Sequence, residues 1–491
     1  MTSSAPQSNP QRKPPTEQPT ERRGKAPAPQ PELNRSLRNR HMSMIAIGGA
    51  IGAGLFVGSG SVIKTAGPAA IVSYCLAGAL VLCTMRMLGE MVVAKPSSGS
   101  FADYARTAIG PWAGFTIGWL YWYYYVIIVA VEAVAGAAIL HEWMGLPLWV
   151  LAMGLMILMT ATNLFSVKSF GEFEFWFSSV KVAAIVAFLI VGGLYVFGGW
   201  PGSSFDFSNL TAHGGFAPNG ITAVFSAIVV VIFAFGGAEI VTIAAAESKE
   251  PERSVARATT GIIWRIILFY VGSIVLVVTL VPWDSAKVLT SPYVAAWKSI
   301  GLPGAGVVMD IVILTAVLSV LNSSVYVSSR MLRALATHGD APTWLVATNK
   351  RQVPVRAILA GTAVGWISVL LAYLSPDTVF TYLVNSSGAI AIFMYLMIGA
   401  SQLRMRRRLE REEPERLTLR MWLFPYLTWV VMAGFAAVLV AMAVIGDQRT
   451  QLLTSLGSLA VVLVAYAVRR VRGSGPVRAD DTPRPDAVPT R

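Results

Sequence analysis

The chain has 491 residues, of which 55% are hydrophobic and 13% are charged, and its mean hydropathy is +0.60. Soluble globular proteins carry about 25% charged residues, so this composition excludes a soluble protein and predicts an integral membrane protein with several spans. The net charge of +13 does not indicate a nucleic-acid partner, because the basic residues are distributed as a membrane topology requires.

The two ends of the chain have a different composition from the rest. Residues 1–34 are rich in Pro, Gln and charged side chains and cannot bury a core, and the same holds from about residue 473. We therefore predict disordered cytoplasmic tails at 1–41 and 471–491. No short apolar segment with a cleavage site precedes Met42, so no removable signal peptide is predicted.

Between the tails, twelve stretches approach the length of about 20 mostly apolar residues that a helix needs to cross a bilayer. They are numbered as predicted helices 1 to 12 and lie at 42–63, 69–93, 112–140, 148–165, 176–198, 219–246, 261–281, 304–334, 356–374, 378–402, 422–445 and 451–468. Their continuous apolar blocks exclude the alternating pattern of transmembrane β-strands.

The basic residues concentrate on one side of these predicted helices. With a cytoplasmic N-terminus, 32 of the 39 Lys and Arg residues lie in cytoplasmic segments, and four (Lys64, Lys287, Lys298 and Arg449) lie on the opposite side. Cytoplasmic loops carry such an excess of Lys and Arg. Both termini are therefore predicted to be cytoplasmic, with the protein in the cell membrane.

Two glycine-rich interruptions match in position. Predicted helix 1 contains GGAIGAG (48–54), and predicted helix 6, five helices later, contains FAFGGAE (233–239). Paired interruptions of this kind indicate an inverted repeat with a binding site at its midplane. The predicted repeats are 42–199 (helices 1–5) and 219–402 (helices 6–10), with helices 11 and 12 appended at 420–470.

Glycine lets the backbone leave the helix and frees N–H and C=O groups that cost several kcal/mol if left unpaired in lipid. A half-helix beginning near Gly54 would direct its positive end at an anion such as a carboxylate, and freed carbonyls would accept from an ammonium group. The alternative is that the small residues only allow close helix packing. The matching interruptions favour a binding site for a zwitterion.

Four motifs connect the chain to a family: RNRHMSMIAIGGAIGAGLFVGSG, AGPAAIVSY, MRMLGEM and FGGAEIVTIAAAESKEPERSVARAT. They resemble the amino-acid permeases of the amino acid–polyamine–organocation superfamily. Within it, LYWYYYVIIVAVEA, SVKSFGEFEFWFSSVKV and LRMWLFPYLTW are most similar to the bacterial permeases of 4-aminobutyrate (GABA). The resemblance covers about residues 34–470. It implies an all-α leucine-transporter fold with 12 transmembrane helices, discontinuous helices 1 and 6, alternating access and proton-coupled uptake.

The resemblance also assigns candidate substrate-binding residues. They are Ala50, Ile51, Gly52, Ala53 and Gly54 on predicted helix 1, and Phe233, Ala234 and Gly236 on predicted helix 6. The N–H groups of Gly52 to Gly54 would bind the substrate carboxylate. Phe233 lies where related transporters place an aromatic gate.

Lys181, on predicted helix 5, is one of three intramembrane ionisable residues that are functional candidates, since burying such groups in a membrane is costly. Either its side chain extends to the headgroups, or it is a buried ammonium that takes the place of sodium and carries the coupled proton, as the resemblance implies. Its predicted neighbours are the helix 1 backbone and a polar group of helix 8, among Ser319, Asn322 and Ser323.

Glu239 and Glu132 are the other two candidates. Glu239 would either cap freed N–H groups of the interrupted helix or act as a gate linked to proton movement, and both roles are compatible. Glu132, on predicted helix 3, would either face the substrate's ammonium group or bond a neighbouring helix.

The expected activity is therefore transport and not enzymatic catalysis. No catalytic constellation, metal site or cofactor motif is predicted, and the expected partners are an amino acid, a proton and the bilayer. The leading prediction is proton-coupled import of GABA. Alternatives are a permease for another amino acid (aromatic, basic or proline-like), an amino-acid exchanger, or a membrane sensor of amino acids.

Overall fold

The computed structural model describes residues 51–95, 101–165, 167–201, 205–239, 261–285, 291–351, 353–374 and 389–472, together with residues 203, 253, 255, 288 and 387. Within these ranges the chain forms helices joined by turns, with no β-strand. Eight helices of the described chain are, by length and composition, able to cross a membrane. This confirms the prediction of an all-α membrane protein.

We number the α-helices of the described ranges in chain order. They are Ala53–Phe56 (α1), Gly58–Ala66 (α2), Ala70–Ala94 (α3), Phe101–Ala108 (α4), Pro111–Met144 (α5), Leu148–Phe165 (α6), Val167–Val196 (α7), Gly220–Ala234 (α8), Ser273–Leu280 (α9), Pro292–Ser299 (α10), Ala305–Thr337 (α11), Val355–Leu374 (α12), Ile390–Glu412 (α13), Tyr426–Val444 (α14) and Gly446–Val471 (α15). A π-helical stretch, Arg265–Gly272, precedes α9.

Most predicted ends that fall on described residues agree with these bounds to within a few residues, but two helices extend further than predicted. The predicted ends at 42, 246 and 378 lie outside the described residues. Helix α7 begins at Val167, where position 176 was predicted, and α13 continues to Glu412 beyond the predicted end at 402. The extension of α13 is highly charged, and hydropathy therefore does not reveal it. Ion pairs between residues four apart support it, including Arg408 with Glu412 at 2.7 Å. The short helices α4 and α10 were not predicted.

Two long helices lie at the centre of the bundle. Helix α11 packs against α5, α6, α7 and α12. In the most apolar stretch of α5, 78% of the residues are buried inside the protein, compared with 17% in α15. The peripheral α15 therefore presents most of its apolar surface outward, whereas α5 and α11 are packed against several neighbouring helices.

Buried ion pairs connect several helices at the end of the bundle that carries most basic residues. Glu90 of α3 accepts from Arg406 (2.8 Å) and Gln402 (2.9 Å) of α13 and from the N–H of Met421. Asp340, which follows α11, pairs with Arg106 of α4 and Arg469 of α15. These pairs connect helices that are distant in the sequence.

Replacing Glu90 by alanine tests the energetic weight of such a pair. The substitution removes the more buried of the two carboxylates that Arg406 contacts, while Glu410, at 2.7 Å, remains. Breaking a buried pair costs up to about 3–5 kcal/mol when the remaining charge is left without a partner, and this value is an upper bound for Glu90→Ala. We expect a clear fall in the thermal unfolding midpoint in a fixed detergent. The control, Glu412→Ala, breaks a pair whose side chains are more than half exposed, which costs about 0–1 kcal/mol. Equal midpoints for the two variants would contradict this account.

Candidate substrate site

A non-helical segment, which we call the first interruption, lies immediately before α1. Ile51 and Gly52 are not helical, and Gly52 is extended, with φ −142° and ψ −153°. The helix then begins at Ala53, so the groups around residues 51–53 lack the partners that a continuous helix would supply. Ala50 and the earlier part of predicted helix 1 lie outside the described residues.

A second interruption follows α8. This helix ends at Ala234, and Phe235 to Gly237 form a turn in which Gly237 has φ +97°, a conformation that favours glycine. Helical geometry resumes at Ala238 and Glu239. The sequence FAFGGAE therefore does break the helix, as its glycines predict.

The two interruptions are close neighbours in space. A Cβ placed on Gly54 would lie 2.8 Å from the Cα of Ala234, a separation that real Cβ atoms do not show. A Cβ on Gly236 would overlap the hydroxyl of Tyr124. The glycines therefore serve close packing as well as the break.

Glu132 of α5 contacts the first interruption. Its side chain is buried, and Oε1 accepts a hydrogen bond from the Ala53 N–H at 3.3 Å. Its Oε2 has no hydrogen-bond partner among the described residues. Of the two arrangements predicted for Glu132, the structure has the bond to a neighbouring segment. The carboxylate of Glu132 thus bonds to an N–H group that the family resemblance assigns to the substrate carboxylate.

Lys181 of α7 contacts the same segment from another side. It is fully buried, and Nζ donates to the Ile51 carbonyl (3.0 Å) and to the Ser319 hydroxyl of α11 (2.8 Å). An ammonium with these contacts does not extend to the headgroups, and its position well inside the 30-residue α7 explains why.

The three polar candidates on α11 have different environments. Ser319 contacts Lys181, whereas the Asn322 side-chain oxygen accepts from Asn163 (2.8 Å) and Thr162 (3.2 Å) of α6. The Ser323 hydroxyl has no hydrogen-bond partner within the described ranges. Ser319 is thus the group of α11 that joins Lys181.

Glu174 completes this cluster and was missed from the sequence. It is buried on α7, and its Oε1 accepts from Ser319 (2.7 Å) and Ser178 (3.0 Å). Positions 174, 178 and 181 are four and three residues apart and share one helix face. That spacing is a signal in the sequence for a polar face centred on Lys181.

Side chains also satisfy the second interruption. Glu239 is buried, and its Oε1 accepts from the Gly237 N–H (3.3 Å) and from the Tyr125 hydroxyl (3.1 Å). The Tyr270 hydroxyl donates to the Ala234 carbonyl at 3.1 Å. The capping contact predicted for Glu239 is therefore present.

Phe233 lies next to this interruption. Its side chain is half-buried, and its ring centroid is 6.1 Å from that of Tyr124 in an edge-to-face arrangement. An aromatic pair therefore flanks the backbone break, a position that suits an aromatic side chain covering a small ligand.

A family model and individual relatives all indicate transport proteins for amino acids. Residues 41–470 match the family model described as amino acid permease. The chain is 55% identical over 445 residues to a gamma-aminobutyric acid permease of Bacillus subtilis, covering 90% of this chain and 95% of the relative. It is 49% identical over 417 residues to a probable GABA permease of Pseudomonas aeruginosa (84% and 88%). It is 39% identical over 459 residues to an aromatic amino acid transport protein of Corynebacterium glutamicum (92% and 98%).

Gly52→Ala tests the geometry of the first interruption. The added methyl group would lie 2.6 Å from Val320 and 2.9 Å from Glu132 Oε1, and would push the carboxylate away from Ala53. Such overpacking costs about 1–3 kcal/mol, so we expect a lower thermal midpoint and weaker substrate-induced stabilisation.

Gly58→Ala is the matched control, because its nearest contact would be an ordinary 3.7 Å to the Ala53 carbonyl. Ligand-induced stabilisation in Gly52→Ala equal to that in Gly58→Ala would count against the site.

Proposed function

The chain belongs to the amino acid permease family, and we propose that it is the member that imports GABA together with a proton. Membership makes it a multi-pass cell-membrane transporter of amino acids. The choice of GABA is supported by relatives named for that substrate at 55% and 49% identity. The relative named for aromatic amino acids is 39% identical, and this leaves an aromatic amino acid as the second candidate.

The architecture proposed is the leucine-transporter fold with 12 membrane helices, both termini cytoplasmic, and repeats at 42–199 and 219–402. Two observations support it. The interruptions before α1 and after α8 occupy matching places in the two repeats. Helices α5 and α11, with 34 and 33 residues, are the third helix of each repeat and pack together at the centre.

The substrate carboxylate is proposed to bind the N–H groups of Gly52 to Gly54. The observation that carries this proposal is the bond from Ala53 N–H to Glu132, because it places a carboxylate group at that backbone position. A substrate carboxylate would take the place of Glu132, and the released Glu132 carboxylate would then accept from the ammonium group. Phe233 would cover the bound molecule.

Lys181 is proposed to couple proton movement to this binding. Its ammonium connects the Ile51 carbonyl at the first interruption to Ser319 and, through it, to Glu174. Loss of the proton would remove the positive charge that holds these groups together, and the segment before α1 would be free to rearrange. Glu239, bonded to both Gly237 and Tyr125, would respond at the second interruption.

Uptake into liposomes by the purified protein tests the substrate and the mode of transport. We expect an inward proton gradient to drive accumulation of labelled GABA, and unlabelled GABA to compete better than phenylalanine, lysine or proline. Stronger competition by phenylalanine would favour the aromatic alternative. Uptake that requires internal amino acid would indicate exchange, and binding without flux would indicate a sensor.

Lys181→Ala tests the coupling role. Without the ammonium, we expect loss of gradient-driven accumulation and a flattened pH dependence of uptake. Lys64→Ala, at an exposed position on α2, should retain both. Folding of the variants is checked by their elution as single species in detergent. A folded Lys181→Ala protein with unchanged uptake and unchanged pH dependence would refute the role.

A further inference from the structure

An apolar groove lies on the side of the bundle, away from the substrate site. Its volume is about 530 Å³, and α5, α13, α14 and α15 line it. Its walls include Trp112, Met397, Ala400, Leu459 and Leu463, all of them half-buried or exposed, so the groove opens toward the surrounding bilayer.

One end of the groove meets a small basic cavity of about 100 Å³. Lys95, Arg404, Arg408 and Glu412 line this cavity, and Arg404 lines the groove as well. The groove and the cavity are therefore neighbours, and the Arg404 side chain borders both. They lie at the end of the bundle that carries most Lys and Arg residues, the predicted cytoplasmic side.

The positive charge of this cavity is only partly balanced. Arg408 bonds Glu412 at 2.7 Å, and Lys95 Nζ is 4.0 Å from Glu413. Arg404 is exposed and has no ion pair within the described ranges. The junction between the cavity and the groove therefore presents an unmatched guanidinium to a ligand.

A second polar group points to a ligand inside the groove. Thr116 lines it, its side chain is 2% exposed, and its hydroxyl has no hydrogen-bond partner among the described residues. A buried donor of this kind calls for an acceptor. An ester carbonyl between a headgroup and an acyl chain supplies one.

From this arrangement we propose that the groove and the basic cavity together bind one anionic phospholipid of the cytoplasmic leaflet. The phosphate group binds at Arg404 with Lys95 and Arg408, the glycerol ester reaches Thr116, and an acyl chain fills the groove. Basic pockets between membrane helices on the cytoplasmic side bind anionic headgroups in this way.

A second copy of the chain fits this surface less well than a lipid does. A twofold dimer uses the same patch on both subunits. Within one membrane this would bring two unmatched Arg404 side chains together at the same depth. A lipid instead joins an anion and an apolar chain in one molecule.

The proposal is tested by native mass spectrometry of the full chain released from nanodiscs of phosphatidylethanolamine with and without phosphatidylglycerol. The wild-type protein should retain one phosphatidylglycerol in preference to phosphatidylethanolamine. Arg404→Gln should lower this retention about fivefold, as expected for one basic contact at a membrane surface. Ala400→Trp, which fills the groove, should lower it as well. Arg407→Gln is the control, since Arg407 is exposed and lines neither space.

Each other result overturns the proposal. Equal retention of the two lipids, or wild-type retention in both Arg404→Gln and Ala400→Trp, would mean that the site is not selective for an anionic phospholipid. Loss in Arg404→Gln alone, with displacement by inorganic phosphate, would indicate a site for soluble anions. A dimer mass that Ala400→Trp abolishes would assign the groove to a second copy. Thermal midpoints of the variants near that of the wild type establish that they are folded.

Discussion

Backbone groups freed inside the membrane must find partners, and the rest of the site is organised around this constraint. Each unpaired N–H or C=O in hydrocarbon costs several kcal/mol. At the two interruptions, four backbone groups are each contacted by a buried side chain. Glu132 accepts from Ala53, Lys181 donates to Ile51, Glu239 accepts from Gly237 and Tyr270 donates to Ala234.

Three of these four partners are ionisable residues that would otherwise be expensive to place in a membrane. The break in the helix and the buried charge therefore stabilise each other. Because side chains of α5, α7 and the π-helical stretch make three of these contacts, a ligand that changes one contact shifts the balance between helices. This coupling between helices gives a physical basis for moving an amino acid through the bundle. The hydrogen bonds among Lys181, Ser319 and Glu174 connect α7 and α11 to the first interruption.

Much of this arrangement was predictable from the sequence, for identifiable reasons. Glycine-rich stretches and intramembrane charges are local features, so the non-helical segments and the choice of Glu132, Lys181 and Glu239 as candidate residues followed directly. The sequence could not predict that Ser319, and not Asn322, contacts Lys181. The two residues are three apart on one helix, and only the positions of α6 and α7 determine which of them faces Lys181. Glu174 was missed because it precedes the predicted start of helix 5 at position 176, whereas α7 begins at Val167. The charged extension of α13 was missed because hydropathy does not report helices outside the apolar layer.

The central claim is that Glu132 holds the Ala53 N–H group at the first interruption until a substrate carboxylate replaces it. A cryo-electron microscopy structure of the protein with GABA bound tests this most directly. The account predicts the GABA carboxylate within hydrogen-bond distance of the Gly52–Gly54 N–H groups, with Glu132 no longer bonded to Ala53. GABA bound elsewhere, with the Glu132–Ala53 bond intact and neither interruption in contact with the ligand, would contradict it.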